Sequence, residues 1–466
     1  MLRSVCTALF ALSVAIALPV APSAVAATVQ VRGETILVDG KPFAVVGAAG
    51  QTRFGLLKQL GATTIRTYGD ETGFVLDEAQ KAGLKVIAGF WLEHPRRGFS
   101  YTDLAKVGPQ LQRLTEFVNR HKNHPALLMW GLGNEVEADV ADDVHVWAGI
   151  EEAAQVVRRL DPNHPTLAVL AEAGNDKIVR FRRHAPSIQV LGINSYGEAL
   201  PSLPDRVRAQ GWKGPLVITE MGPMGQWQAP RTPWGAAIEP SSDEKAAMLS
   251  RWFSALQPKV QGYIVFYWGQ KQEVTPTWHS LLLQGGEYTR TAEAMAAAWG
   301  GNTPQGNRAP RIALFRLPQG NEWNRDQSIR AEIAVEDPDN DPFGVVWQVM
   351  AESSDLKTWG DAEQPPPVFP QAVREPGPKG ATIAGLQPGN YRLFVTARDG
   401  KGAAATANLP FRVRRRPSQA VIPGFRPGIP FSSSEKQMGP RLKAGVTRFP
   451  YRHSPNLPPM PKWKWL

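Results

Sequence analysis

Residues 126–135 read ALLMWGLGNE, an apolar run that ends in the polar pair Asn134 and Glu135. A bounded run of this length is consistent with a fully buried strand. A second segment, LVITEMG at residues 216–222, has the same character and carries Glu220 near its end. The two segments indicate buried strands that present carboxylates at their carboxyl ends.

Outward from these segments, strand patterns alternate with helical patterns from residue 28 to residue 302. The eight predicted strands are Phe43–Ala48, Thr63–Thr67, Lys85–Leu92, Ala126–Leu132, Thr166–Leu170, Val190–Ser195, Leu216–Thr219 and Tyr263–Trp268. Strands that alternate with helices predict parallel βα units. Eight units in about 275 residues fit an α/β fold of the (β/α)₈ or TIM-barrel type, which typically takes ~250 residues. A doubly wound open sheet is the structural alternative.

After Gly306 the pattern changes to short alternating strands without helices. Residues 308–415 therefore predict a small all-β sandwich of the immunoglobulin-like type, with an irregular insertion at Gly360–Gly380. The acidic run Asp337–Asp341 could form a calcium loop, but it lacks an ordered set of ligands at a recognisable spacing. We interpret it as an acidic turn.

The chain of 466 residues begins with a segment typical of export. Residues 1–26 combine Arg3, an apolar stretch from Val5 to Val20 and small residues up to Ala26, which predicts a signal peptide. We therefore expect an exported protein, periplasmic or extracellular, and a retained membrane anchor is the alternative. The single cysteine, Cys6, lies in this segment, so the mature protein is expected to contain neither disulfides nor thiolate metal sites.

The net charge of +10 is concentrated at the other end of the chain. From Arg412 to Leu466 there are twelve Lys and Arg residues against the single acidic residue Glu435. Residues 416–466 are also rich in proline and lack apolar periodicity, so they predict a disordered basic tail. A basic tail can bind nucleic acid, but because we expect export, an anionic envelope surface is the better candidate and no nucleic acid is expected.

Glu135 and Glu220 are the candidate catalytic residues. In a barrel of parallel strands the active site forms at the carboxyl ends of the strands, where these two residues are expected to face each other. A pair of carboxylates can flank a glycosidic bond, with one protonating the leaving oxygen while the other attacks carbon or activates water.

The barrel segment resembles the clan A glycoside hydrolases, and most closely the catalytic domain of glycoside hydrolase family 2. The resemblance covers about residues 29–300 and rests on the following ordered pieces: residues 29–32 and 39–43, 65–68, 124–126, 130–135, 192–196 and 219–220. Residues 66–69, RTYG, also resemble barrels of the same clan that cleave or transfer β-1,3-glucans. Because the barrel pattern directly follows the predicted signal, we expect no sugar-binding sandwich domain of the kind that usually precedes this barrel in family 2.

The resemblance implies roles for individual residues. Glu135 is expected to be the general acid/base and Glu220 the nucleophile of a retaining double displacement. Arg66 matches the arginine that holds the nucleophile anionic, and Asn134 would bind a sugar hydroxyl beside the reacting carbon. The other expected substrate-binding residues, from their positions at strand ends, are Tyr196 and Trp268.

The leading hypothesis is therefore a glycoside hydrolase, an exported β-glycosidase or transglycosylase acting on an oligo- or polysaccharide. The alternative is a non-catalytic glycan-binding or envelope-scaffold protein with a barrel fold. No cofactor and no metal is expected, and the sequence does not predict the oligomeric state. Trp91, Trp227 and Trp234 are further candidates for walls of a sugar site, with core packing the alternative for each.

Overall fold

The computed structural model describes residues 26–415, which form two domains. The predicted signal peptide, apart from Ala26, and the predicted basic tail at residues 416–466 lie outside the described residues. No helix in the described part of the chain combines the length and the apolar character that a membrane crossing requires.

The first domain is a closed barrel of eight parallel strands. Three short strands precede the barrel: β1 (Val29–Arg32), β2 (Thr35–Val38) and β3 (Lys41–Pro42). The barrel strands are β4 (Val45–Gly50), β5 (Thr64–Arg66), β6 (Lys85–Phe90), β7 (Leu127–Leu132), β8 (Thr166–Ala171), β9 (Val190–Tyr196), β10 (Leu216–Gly222) and β11 (Gly262–Trp268). They lie side by side in chain order, and β11 closes the ring against β4. The predicted (β/α)₈ barrel is confirmed, and closure rules out the open sheet.

Helices cover the outside of the barrel. They are α1 (Phe54–Gln59), α2 (Thr72–Ala82), α3 (Leu104–His121), α4 (Val144–Leu160), α5 (Lys177–His184), α6 (Leu203–Ala209), α7 (Ser242–Leu256) and α8 (Arg290–Trp299). Each helix buries an apolar stripe against the strands, which accounts for the periodicity of the sequence. Helix α7 begins with a capping box, in which Ser241 and Glu244 each accept a bond from the other's backbone N–H.

The hairpin formed by β1 and β2 closes the amino-terminal end of the barrel. Val29 and Ile36 are buried in one cluster with residues of the barrel interior, such as Val45 and Met129. The N–H of Val29 also donates to the carbonyl of Asn163, in the loop that leads into β8. This end of the barrel is therefore sealed, and the opposite end is the one that can hold a site.

The second domain consists of two four-stranded sheets with one apolar core between them. Its strands are β12 (Arg311–Arg316), β13 (Glu322–Asn324), β14 (Ile329–Glu336), β15 (Gly344–Ala351), β16 (Val373–Gly377), β17 (Gly380–Ile383), β18 (Gly389–Arg398) and β19 (Ala404–Arg414). The predicted all-β domain is confirmed. Strand β16 lies inside the stretch that we expected to be irregular.

The acidic run of the second domain forms a compact turn. The carboxylates of Asp337, Asp339 and Asp341 lie within 4.8 Å of one another. Asp337 accepts the backbone N–H groups of the other two residues at 2.9 Å, while Arg308 pairs with Asp339 and Lys401 with Asp341. These hydrogen bonds are those of a self-capping acidic turn.

A buried polar network joins the two domains. Glu239, in the loop before α7, accepts bonds from Lys245 of α7 and from the side-chain amide of Asn408 on β19. The Asn408 amide oxygen accepts from Arg392, which also donates to the carbonyl of Ala237 at 2.8 Å. Arg392 is only 2% exposed. Because each buried charge has several partners, the second domain is held at a fixed position on the barrel.

Candidate active site

Glu220 lies at the carboxyl end of β10, where the strand departs from regular pairing. The register of β10 against β9 shifts between Ile218 and Glu220, so that Glu220 pairs with Asn194. A bulge of this kind bends a strand and re-aims a side chain, and such bulges are common beside active sites. The side chain of Glu220 is turned into the barrel mouth, where both of its carboxylate oxygens accept hydrogen bonds.

Three side chains donate hydrogen bonds to the carboxyl group of Glu220. Arg66, at the end of β5, donates to Oε1 at 3.0 Å, and the Tyr68 hydroxyl donates to the same oxygen at 2.8 Å. The Tyr196 hydroxyl donates to Oε2 at 2.8 Å. Hydrogen bonds from charged and neutral donors to the ionised form favour that form. This arrangement keeps Glu220 available as a nucleophile.

Arg66 is positioned to act on Glu220 rather than on a ligand. It is 2% exposed, and its guanidinium also donates to the carbonyl of Thr219 and to Oδ1 of Asn134, both at 2.8 Å. The fork of the guanidinium thus ties the end of β10 to the end of β7.

Both tyrosine hydroxyls donate to Glu220, and that of Tyr68 also accepts from Arg66 at 3.3 Å. Burial, followed by the charge of Glu220, raises the pKa of Tyr196 well above its usual value. Burial also raises the pKa of Tyr68 well above its usual value, although Arg66 opposes the shift. Tyr68 lies close to β6 because Gly89 faces it, and a Cβ there would stand 2.1 Å from the carbonyl oxygen of Thr67.

Glu135 follows β7 and has a different environment. Its backbone has a φ of 52°, and its N–H donates to the carbonyl of Val169 on β8. One oxygen of its carboxyl group accepts from the side-chain amide of Asn194 at 2.9 Å. Burial, together with the nearby negative charge of Glu220, raises the pKa of Glu135 to about 8, against the opposing effect of that hydrogen bond. This shift favours the protonated form of Glu135, which can donate a proton.

Asn194 connects the two carboxyl groups. Its amide nitrogen donates to Glu135 and, at 3.1 Å, to Oδ1 of Asn134, while its oxygen accepts from the Thr219 hydroxyl at 2.8 Å. This side chain fixes the ends of β7, β9 and β10 relative to each other. The two glutamates are consequently held in place by hydrogen-bonded neighbours rather than by contact with each other.

Both glutamates line a cavity of about 820 Å³ at the carboxyl end of the barrel. Its aromatic walls are Tyr68, Trp91, Tyr196, Trp227, Phe266, Tyr267 and Trp359. A concave site with aromatic walls and a few convergent polar groups is the usual form of a small-molecule or sugar site. Its volume exceeds what a single sugar ring requires.

The structure brings together five of the six predicted site residues, namely Arg66, Asn134, Glu135, Tyr196 and Glu220. It does not place the sixth, Trp268, in the cavity. Trp268 is fully buried between β11 and the helices, and its indole N–H donates to the carbonyl of Thr52 at 2.8 Å. The prediction that Trp268 stacks on a sugar is corrected, because the cavity wall on β11 is formed by Phe266 and Tyr267.

Tyr68 and Asn194 are site residues that were not predicted. Both stand at the ends of barrel strands, inside the segments that support the family resemblance, and that position is the signal that could have identified them. Of the three further tryptophans considered, Trp91 and Trp227 line the cavity, whereas Trp234 does not. The cluster of three aspartates at residues 337–341 does not line the cavity either.

Comparison with known proteins agrees with this geometry. Residues 62–204 match the family model described as glycosyl hydrolases family 2, TIM barrel domain. The β-glucuronidase of Paenibacillus borealis is 29% identical over 174 residues, which are 30% of this chain and 28% of that protein. Human β-glucuronidase is 26% identical over 192 residues, or 36% of this chain and 27% of that protein. The resemblance of the barrel to family 2 is confirmed, and the chain spans little more than a quarter of these relatives.

Two solved structures are similar to parts of this chain. The β-D-glucuronidase of Dictyoglomus thermophilum is 20% identical, with a TM-score of 0.48, over 59% of this chain and 53% of that one. The β-glucuronidase 2 of Bacteroides uniformis is 15% identical, with a TM-score of 0.48, over 83% of this chain and 48% of that one.

Proposed function

We propose that this protein is an exported retaining β-glycosidase or transglycosylase that acts on an oligo- or polysaccharide. The observation that supports this most directly is the contrast between the two glutamates in one cavity. Glu220 accepts three hydrogen bonds that favour its charged form, while the pKa of Glu135 is raised to about 8. A carboxylate anchored by several donors beside a carboxyl group of raised pKa is the arrangement expected of a nucleophile and a general acid.

In the first step, a carboxylate oxygen of Glu220 attacks the anomeric carbon of the sugar. The bond from that carbon to the glycosidic oxygen breaks, and Glu135 gives its proton to the departing oxygen. A covalent glycosyl ester of Glu220 results, and Glu135 is left as a carboxylate. Arg66 and the two tyrosines stay in place to receive Glu220 when it is released again.

In the second step, Glu135 acts as the base. It removes a proton from an incoming hydroxyl group, whose oxygen attacks the anomeric carbon and displaces Glu220. If the hydroxyl belongs to water the product is a shorter glycan, and if it belongs to a sugar the product is a longer one. Both outcomes use the same residues and the same intermediate.

The charges of the cavity favour an uncharged glycan. Nine carboxyl groups and four cations line it. Each cation is already paired with a carboxylate: Arg97 with Asp361, Lys177 with Glu137, Arg180 with Asp143 and Lys271 with Glu273. A uronic acid would bring another negative charge into this surplus of acidic groups, at a cost in binding energy. We therefore propose an uncharged sugar, rather than a glucuronide, as the substrate of this chain.

Export and envelope location are supported by the sequence of residues 1–26, and binding to an anionic envelope surface by the basic composition of residues 416–466. The alternative of a non-catalytic glycan-binding scaffold is less well supported. Binding alone would not require one carboxyl group anchored by three donors beside a second one whose pKa is raised.

The test is to incubate the mature protein with β-1,2-, β-1,3-, β-1,4- and β-1,6-linked oligosaccharides and to read product lengths by mass spectrometry. Longer products indicate transfer and shorter ones hydrolysis. Glu135→Gln and Glu220→Gln should each abolish turnover without unfolding the protein, and azide should partly rescue Glu220→Gly. Glycan binding without turnover, unaffected by substituting both glutamates, would instead establish the scaffold alternative.

A further inference from the structure

One wall of the cavity comes from the second domain. Residues 359–363, here called the bridging segment, lie between β15 and β16 of the all-β domain, about 90 residues or more beyond the last barrel strand. Four of them, Trp359, Gly360, Asp361 and Ala362, line the same cavity as Glu135 and Glu220. The second domain is therefore part of the candidate active site.

The bridging segment is attached to both sides of the barrel mouth. On one side, the buried Glu363 accepts the backbone N–H of Val274, in the loop after β11, at 2.6 Å. On the other, the indole N–H of Trp359 donates to Asp139, in the loop after β7, also at 2.6 Å. Strands β11 and β7 are four places apart in a ring of eight, so they stand opposite each other. The segment thus crosses the mouth.

Ion pairs hold the middle of the segment. Asp361 accepts two bonds from Arg96, at 3.0 and 3.1 Å, and also pairs with Arg97. Both arginines follow β6. A bidentate arginine–carboxylate pair fixes orientation as well as distance. Together with the buried network around Arg392 and Glu239, these contacts keep the segment over the cavity.

Trp359 is suited to contact a sugar ring. Its indole nitrogen is turned to Asp139, while the side chain is only half-buried and forms part of the cavity surface. A large rigid aromatic surface with its polar atom already satisfied is a favourable platform for the apolar face of a pyranose.

We propose that the second domain supplies a sugar-binding subsite in which Trp359 stacks on a pyranose ring of an uncharged oligosaccharide, at a position beyond the sugar that reacts at Glu220. The proposal rests on the proposed function. The direct anchor of Trp359 is a loop residue, Asp139, whereas the reacting sugar must lie against the strand ends that carry Glu135 and Glu220. The second domain would then determine preference for chain length, and the barrel would perform the chemistry.

The test compares Trp359→Ala, Trp359→Phe and a control, Trp234→Ala, which removes a half-buried tryptophan outside the cavity. The substrates are the oligosaccharides of the linkage that the wild-type protein turns over, from two to six sugars, and the aryl monoglycoside of the same sugar. We expect Trp359→Ala to raise KM for the longer oligosaccharides about 3- to 10-fold. The kcat values and all kinetics of the monoglycoside should stay unchanged, and Trp359→Phe should restore most of the affinity.

A binding measurement without turnover gives an independent readout. In the Glu135→Gln background, isothermal titration with the longest oligosaccharide should show the same loss on substituting Trp359, and Asp361→Ala should weaken binding in the same direction because it releases the segment. Equal losses for monoglycoside and oligosaccharide, or no loss at all, would overturn the subsite. Failure of the proposed function is distinct, because it would appear as absence of turnover in the wild-type protein itself.

Discussion

Tyr196 donates its hydroxyl to Oε2 of Glu220 at 2.8 Å, while Tyr68 donates to Oε1 of the same carboxylate at the same distance. The two tyrosines come from β9 and from the end of β5, and they approach Glu220 on its two oxygens. Because one oxygen of a nucleophilic carboxylate becomes bonded to carbon, the two hydrogen bonds cannot contribute equally to the reaction. The structure thus allows the attacking oxygen to be identified by substitution.

Tyr68→Phe and Tyr196→Phe should each lower kcat/KM by about 10- to 100-fold, the range expected for a hydrogen bond to a charged group. The variant that removes the donor from the non-attacking oxygen should affect the covalent step less. Pre-steady-state measurement of glycosylation with an aryl glycoside would separate the two. Tyr391→Phe, which removes a hydroxyl that donates to the carbonyl of Gln387 in the second domain, is the matched control. Wild-type rates in both tyrosine variants would contradict the role assigned to the two hydroxyl donors.

The raised pKa of Glu135 predicts how activity depends on pH. Because Glu135 must be protonated to release a poor leaving group, kcat/KM for an oligosaccharide should fall as the pH rises above about 8. A 2,4-dinitrophenyl glycoside, whose leaving group needs no proton, should show a much weaker alkaline decline in its glycosylation step. Identical alkaline limbs for the two substrates would show that another group limits the rate.

The same pKa shift predicts a pH-dependent cost in stability. Folding raises the pKa of this carboxyl group, so between its ordinary value of 4.5 and about 8 the folded state binds more protons than the unfolded one. Stability therefore decreases as the pH rises through this range. Glu135→Gln has no proton to lose, so its Tm relative to the wild type should increase from pH 4 to pH 9. A difference in Tm that does not change with pH would contradict the shift.

Arg66→Lys should lower the catalytic rate much more than a conservative substitution usually does. An ammonium group can keep one contact with Glu220, but it cannot also reach Thr219 and Asn134 as the guanidinium fork does. We expect kcat to fall by about 100-fold or more while the far-ultraviolet circular dichroism stays unchanged. Arg113→Lys, on α3 and away from the site, is the matched control.

The strand ends of the barrel could be predicted from the sequence because buried parallel strands are continuous apolar runs and the site residues follow them directly. Glu135 and Glu220 were found in this way. The burial of Trp268 outside the cavity could not be predicted, because the pairing of β11 with β4 is irregular between Val265 and Trp268. Without the register, the sequence does not tell which aromatic side chain of the run faces the cavity.

The contribution of residues 359–363 to the cavity could not be predicted from the sequence, for a different reason. Trp359 meets Asp139 across 220 positions of the chain, and Asp361 meets Arg96 across 265. No local pattern reports contacts of this separation, and the segment resembles an ordinary irregular loop. Its position depends on the docking of two domains through buried side chains such as Arg392, which a sequence pattern does not reveal.

Loss of the docking network should destabilise the protein and loosen the bridging segment. Asn408→Ala removes the amide that joins Glu239 to Arg392, and it leaves both buried charges with one partner fewer. We expect a decrease of about 1–3 kcal/mol in the free energy of unfolding. Faster hydrogen exchange around residues 359–363 should accompany it. Asn119→Ala, on the exposed face of α3, should change neither; equal effects of the two variants would contradict the role of the network.

We expect the basic tail to determine where the protein is retained and to have no effect on catalysis. Residues 417–466 carry eight Lys and Arg residues against the single acidic residue Glu435, and these charges are interleaved with Phe425, Phe431, Trp463 and other aromatic residues. Deleting these residues should leave turnover of short soluble oligosaccharides unchanged, because the residues that bind and react all lie in the cavity. Retention on envelope material should fall, since a polybasic segment is attracted to anionic surfaces.

The salt dependence of binding distinguishes electrostatic attachment through the tail from other ways of binding an envelope. Interactions between exposed charges are screened over about 8–10 Å near physiological ionic strength. The full-length protein should therefore be released from sedimented envelopes by moderate salt, whereas a soluble oligosaccharide substrate should not release it. If the truncated protein sediments with envelopes to the same extent as the full chain at every salt concentration, the tail does not attach the protein to the envelope. Retention must then be assigned to the cavity or to the second domain.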